Sequence, residues 1–106
     1  MRAPVPSSNP QPAMQAPPDI TPMNLPGLEG VIGATASQLG STFGQPRLNV
    51  QEGDVRKLQF VGQACVLDVY LYPNASGAQV GAYVDARRAS DGREVDRAAC
   101  VAALRR

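Results

Sequence analysis

The sequence predicts an α+β fold in two layers, an antiparallel β-meander of three to four strands with a short N-terminal helix and a C-terminal helix on one face. Three observations carry this. Between residues 48 and 85, apolar and polar positions alternate in short runs separated by turn signals. The stretches that begin at Thr35 and Asp96 instead space their apolar residues at helical intervals. Finally, residues 1–29 hold eight of the ten prolines and only three charges, a composition that cannot bury enough apolar surface to offset its ordering entropy. That segment is expected to be a disordered, Pro-rich linker, which leaves 30–106 as one small α+β domain.

Thr35 is placed to cap a helix of about two turns, in which Leu39 and Phe43 fall on one face. Gly44 suits the left-handed position after it, and Pro46 forbids continuation. Gly40, inside this helix, costs about 1 kcal/mol relative to Ala and suggests close packing of the helix backbone on another element. A meander follows. Leu48 and Val50 alternate, Glu52-Gly53-Asp54 makes a turn, and Leu58 and Phe60 alternate with Lys57 and Gln59. Gly62-Gln63 suits a tight hairpin, and Pro73–Gly77 a longer loop. Val80, Ala82 and Val84 then alternate with Gly81, Tyr83 and Asp85. After the Asp91-Gly92 turn, Asp96 caps a last helix that runs to about Leu104. Val95 and Cys100 are spaced as a hydrophobic staple, and Arg105 and Arg106 sit at the negative end of the helix dipole.

Composition excludes several functions. The net charge is +1 with scattered basic residues, unlike nucleic-acid or anionic-surface binders that gather Lys and Arg on one face. Histidine is absent, which removes the commonest general base and zinc ligand, and two cysteines cannot close a structural zinc site. No residues with the spacing of a nucleophile and its base, a metal cluster or a phosphate loop are apparent. The expectation is therefore a protein that is not an enzyme, with no cofactor, no metal and no small-molecule substrate. No stretch approaches the roughly 20 apolar residues of a membrane-spanning helix. The first residues also lack the apolar run of a signal peptide, so either an export signal has been removed or the protein stays inside the cell.

Cys65 is in step with Leu67, Val69 and Leu71 on the core side of its strand, and Cys100 lies on the packed face of the last helix. The two point into one layer from opposite sides, as a disulfide requires, the alternative being two buried thiols. A disulfide implies an oxidising compartment such as a periplasm.

The other side of the sheet carries Asp68, Tyr70, Tyr72, Tyr83, Asp85 and Arg87, with Lys57 beside them. Cross-strand ion pairs alone would account for the charges on an ordinary solvated face. All three tyrosines of the chain fall there, however, and tyrosine is favoured at interfaces, so these six residues are the candidate partner-binding surface. Glu52, Asp54, Asp91 and Glu94 sit beside turn glycines, where carboxylates are normally just solvated. Asn74-Ala75-Ser76 matches a glycosylation sequon and is also ordinary turn chemistry.

The order Gly33-Ala34-Thr35, Leu39, Phe43-Gly44-Gln45-Pro46, followed by a β-meander, resembles the opening of the BamE (SmpA/OmlA) outer-membrane lipoprotein family. Leu58-Gln59-Phe60 occupies the place of that family's W-x-Y strand, and Leu67-Asp68-Val69-Tyr70-Leu71 that of its following apolar strand. The likeness covers about residues 31–86. The cysteine pair lies outside the family pattern, so the chain looks like a disulfide-bearing relative. The resemblance implies a periplasmic or outer-membrane-associated location, a membrane reached only through a tether, and an envelope protein as partner. The function expected is a non-enzymatic interaction module of the cell envelope, associated with outer-membrane assembly or integrity. The alternative is a small periplasmic inhibitor or immunity-type protein that blocks an enzyme with the 73–77 loop.

Overall fold

The computed structural model describes residues 22–106. Thr35 stands in extended backbone, and its hydroxyl accepts from the Gln38 N–H while the Gln38 side chain accepts from the Thr35 N–H. This reciprocal box satisfies two of the donors left over at the start of helix α1 (Ala36–Phe43). Gly44, at φ 91°, ends the helix by returning its N–H to the Gly40 carbonyl. Gly40 itself has open space where a Cβ would lie, which corrects the expectation that a packed neighbour requires a glycine there.

Four strands follow, β1 (Leu48–Glu52), β2 (Val55–Val61), β3 (Cys65–Pro73) and β4 (Gln79–Arg88), then helix α2 (Arg97–Leu104). The sheet order is β1-β2-β3-β4 with every pair antiparallel, so the α+β class and the meander are both observed. Gly53-Asp54 forms a two-residue turn between Glu52 and Val55. The β2–β3 connection takes three residues, Gly62 to Ala64, rather than two, and closes with the Gly62 N–H on the Cys65 carbonyl at 3.0 Å. A Cβ at Gly62 would run into the Leu104 side chain. Around residue 74 one side chain organises the loop: Asn74 Oδ1 accepts from the Ser76 N–H, the Ser76 hydroxyl and the Ala78 N–H.

Alternation along β4 breaks where the sequence pattern continues unbroken. Tyr70 pairs with Tyr83 but Leu71 with Gly81, so Ala82 is an extra residue and the strand bulges. The expected grouping of Val80 with Ala82 and Val84 is therefore corrected: Val80 faces Tyr72, and Gly81 takes the place opposite Leu71. That exchange has a purpose. The Gly81 N–H bonds to the Ala34 carbonyl at 2.8 Å and its carbonyl accepts from the Gly33 N–H at 2.7 Å, while a Cβ there would overlap the Val31 carbonyl oxygen. Only a glycine lets residues 31–34 lie this close to the strand.

The linker expected over 1–29 also needs correction at its end. Residues 1–21 lie outside those described, but Leu28 and Val31 are fully buried core residues and Met23 packs against the same cluster. Eight prolines obscured Met23 and Leu28, each of which stands alone among turn residues. The Met23 N–H bonds to the Ala82 carbonyl at 2.9 Å, so the packed chain begins well before residue 30.

The core joins Leu28, Val31, Leu39 and Phe43 to Leu58, Phe60, Leu67, Val69, Leu71, Val84 and Ala86 of the sheet and to Cys100 and Val101 of α2. Asp96 caps α2 by accepting from the Ala99 N–H at 2.8 Å, and Val95 packs on the core beside it. Cys65 and Cys100 form a disulfide with their Cα atoms 5.9 Å apart. The closed loop spans 35 residues, a length whose chain-entropy contribution is about 4 kcal/mol. Arg106 does more than offset a dipole: its N–H donates to the Thr42 carbonyl and its Nε to the Phe43 carbonyl, which satisfies the last turn of α1 from the far end of the chain.

The two glycines predict opposite outcomes in urea unfolding. Gly40→Ala should stabilise by up to about 1 kcal/mol, since it gains helix propensity in open space. Gly81→Ala should cost about 1–3 kcal/mol through overpacking against the 31–34 segment. Equal effects of the two would show that the backbone approach at Gly81 does not exist.

Candidate functional site: the outer sheet face

Strand pleating assigns alternate residues to opposite faces. Leu58, Phe60, Leu67, Val69, Leu71, Val84 and Ala86 point into the core, so Lys57, Gln59, Val61, Val66, Asp68, Tyr70, Tyr72, Tyr83, Asp85 and Arg87 share the outer face. All six residues of the candidate surface thus fall on one side. The structure adds others. Val50 pairs with Lys57 and Leu48 with Gln59, so both apolar residues of β1 belong to the outer face, and Asn49 and Gln51 to the core side.

On β1, then, the amphipathic sense is reversed relative to β2, β3 and β4. Leu48 is 40% exposed, Val50 38% and Val61 44%, which adds apolar surface on the β1 and β2 side of this face, while Tyr83, 37% exposed, lies on β4. The inverted strand was missed as part of the site. Its signal was nonetheless present, because counting back from the two-residue Gly53-Asp54 turn sets Val50 opposite Lys57.

The aromatic centre is tightly arranged. Tyr70 and Tyr83 stand directly opposite across β3 and β4, with ring centroids 5.8 Å apart and planes tilted by 58°. Lys57 Nζ lies 5.6 Å from the Tyr70 ring and the Arg97 guanidinium 5.9 Å from the Tyr83 ring, so a cation flanks each. Tyr72 is half-buried on the same strip. Burial pushes its phenol above the ordinary tyrosine value, and the neighbouring Tyr70 and Tyr83 push it further in the same direction.

The two acids behave differently. Asp85 pairs with Arg87 at 3.3 Å and lies 4.0 Å from Arg97, the cation that α2 supplies. Arg97 is itself fixed, since its Nε donates to the Val84 carbonyl at 2.6 Å. Asp68 was expected on the wet side of the strand, yet only 9% of it is exposed. It does lie on the outer face by alternation, on a central strand between Gln59 opposite on β2 and Asp85 opposite on β4. Instead of a cation it has an amide, with Gln59 Nε2 donating to Oδ1 at 2.9 Å. Two carboxylates therefore face each other across β3 and β4, an arrangement that destabilises a sheet.

Among the turn acids, Asp91 is more than solvated. Arg88 grips it with two parallel bonds, Nε to Oδ1 at 3.0 Å and Nη2 to Oδ2 at 2.8 Å, which hold its carboxyl below the usual aspartate range with help from the Arg93 N–H. Among the described residues, no three acids or cysteines gather closely enough to hold a metal ion. No described helix is long and apolar enough to cross a membrane. The chain matches no protein-family model, no curated protein and no solved structure.

Asp68→Asn keeps the bond to Gln59, with the amide oxygen accepting, and removes one of the two facing charges. It should raise stability at neutral pH by up to about 1 kcal/mol. A loss of comparable size in thermal or urea unfolding would mean that the negative charge of Asp68 is itself satisfied on this face.

Proposed function

We propose that this chain is a non-enzymatic protein-interaction module of the bacterial cell envelope, which binds an envelope protein through the outer face of its sheet. In this reading the fold is two-layered, with α1 and α2 on the core side and the tyrosine side left free. The observation that carries it is the reversal on β1: Leu48 and Val50 join Val61, Val66, Tyr70, Tyr72 and Tyr83 on the face opposite the core. A surface rich in tyrosine, with apolar residues on its β1 and β2 side and charges within, has the composition of a recognition patch. The disulfide supports an oxidising compartment, because such bonds persist in the periplasm and are rare in the cytosol. The resemblance to the BamE family supports the same location, with the Pro-rich N-terminal segment as tether and outer-membrane assembly or integrity as the setting.

One observation favours the second reading, a small periplasmic inhibitor or immunity-type protein. The 73–77 loop expected for this role is observed as 74–78, exposed and held in shape by Asn74, and a preordered loop suits insertion into an enzyme cleft.

Replacing Tyr70, Tyr72 and Tyr83 with Ser separates the two. Partner capture from envelope extracts should fall by at least about tenfold, since each anchor aromatic of an interface is worth on the order of 1 kcal/mol or more. An Asn74→Ala variant, which unties the loop, should capture normally. If the triple variant captures as well as the wild type and loosening the loop abolishes capture, the inhibitor reading replaces the sheet-face one.

A further inference from the structure

The two edges of the sheet are treated differently. Along β4 the outward backbone groups are occupied: Gly81 by Gly33 and Ala34, the Ala82 carbonyl by Met23, the Val84 carbonyl by Arg97 and the Ala86 carbonyl by Val95. β1, at the other edge, pairs only with β2, and every one of its five residues is exposed. Natural edges are normally guarded by proline, lysine, a bulge or a covering segment. Within Leu48–Glu52 there is no proline, lysine or bulge, and the one charge is Glu52 at its end.

We propose that β1 pairs antiparallel with β1 of a second copy of this chain, joining two four-stranded sheets into one continuous sheet. This rests on reading the chain as an interaction module and adds a second contact, distinct from the tyrosine face. The two-residue turn makes Glu52–Val55 a bonded pair, so Leu48, Val50 and Glu52 spend their backbone groups on β2 while Asn49 and Gln51 turn theirs outward.

A twofold axis beside Val50 then gives the register that overlaps all five residues. Asn49 bonds with Gln51 of the second copy and Gln51 with its Asn49, Val50 meets Val50, and Leu48 meets Glu52. No like charges oppose one another, and the apolar stripe of Leu48 and Val50 continues across the junction on the outer face. The net charge of +1 leaves little repulsion between copies.

Sedimentation of the full chain over a range of concentrations tests this, together with two variants. The wild type should pass from monomer to dimer as concentration rises. Gln51→Pro removes an outward N–H without touching the β2 ladder and should weaken association at least tenfold, with only a small drop in its unfolding midpoint from losing the exposed bond between the Gln51 amide and the Gly53 carbonyl. Val50→Cys should yield a covalent dimer under mild oxidation, since a directly opposed non-bonded pair brings its Cα atoms within disulfide range, whereas Lys57→Cys on β2 should not. A chain that stays monomeric throughout, a dimer that Gln51→Pro leaves intact, or equal cross-linking at 50 and 57 would overturn the proposal. Gln51→Pro leaves the tyrosines in place, so partner capture by that variant reports on the sheet face separately.

Discussion

The Cys65–Cys100 bond ties the first residue of β3 to the middle of α2, and much of the remaining structure depends on where that helix is held. With α2 fixed against the sheet, its first residue, Arg97, reaches the Val84 carbonyl, the Asp85 carboxylate and the Tyr83 ring. The chain leading into α2 closes the β4 edge through Val95. At the far end Arg106 supplies the missing donors for the last turn of α1. A covalent link between strand and helix thus positions an edge cover, a face cation and a helix cap. In a domain this small, where core burial alone is marginal, such a link is the kind of support expected.

A small chain with one four-stranded sheet has limited material to cover it. Leu39 and Phe43 of α1, Cys100 and Val101 of α2, and Leu28 and Val31 of the preceding segment join the inward side chains of the sheet in one core. The outer face is therefore made tolerable by its own side chains. Tyr70 and Tyr83 pack at a tilt, Lys57 and Arg97 lie beside them, Arg87 neutralises Asp85, and Gln59 occupies Asp68. A purely solvated face would not need Leu48, Val50 and Val61 on its β1 and β2 side, and these residues turn the surface into a candidate site.

Local chemistry made part of this legible in the sequence. Thr35, Gly44, Pro46 and Asp96 punctuate the helices because caps depend on one or two residues whose identity is diagnostic. The pairing of Cys65 with Cys100 followed from facing positions on a strand and a helix. Features that depend on two segments meeting were not legible. The bulge at Ala82 answers to the approach of residues 31–34, which no alternation pattern along β4 contains. Met23 and Leu28 lie in a stretch whose prolines dominate its composition. Asp68 was placed on its correct face, but its partner Gln59 follows from the register of β2 against β3, which the pattern along β3 does not contain.

Hydroxyl-radical footprinting of the chain in intact envelopes, compared with the purified protein, tests the central claim most directly. Tyr70, Tyr72, Tyr83, Leu48, Val50 and Val61 should be protected in the envelope, while Pro73, the exposed last residue of β3 beside the loop, should label equally in both states. Equal labelling of the sheet face in both settings, or protection confined to Pro73 and the 74–78 loop, would contradict the assignment of the outer face as the binding surface.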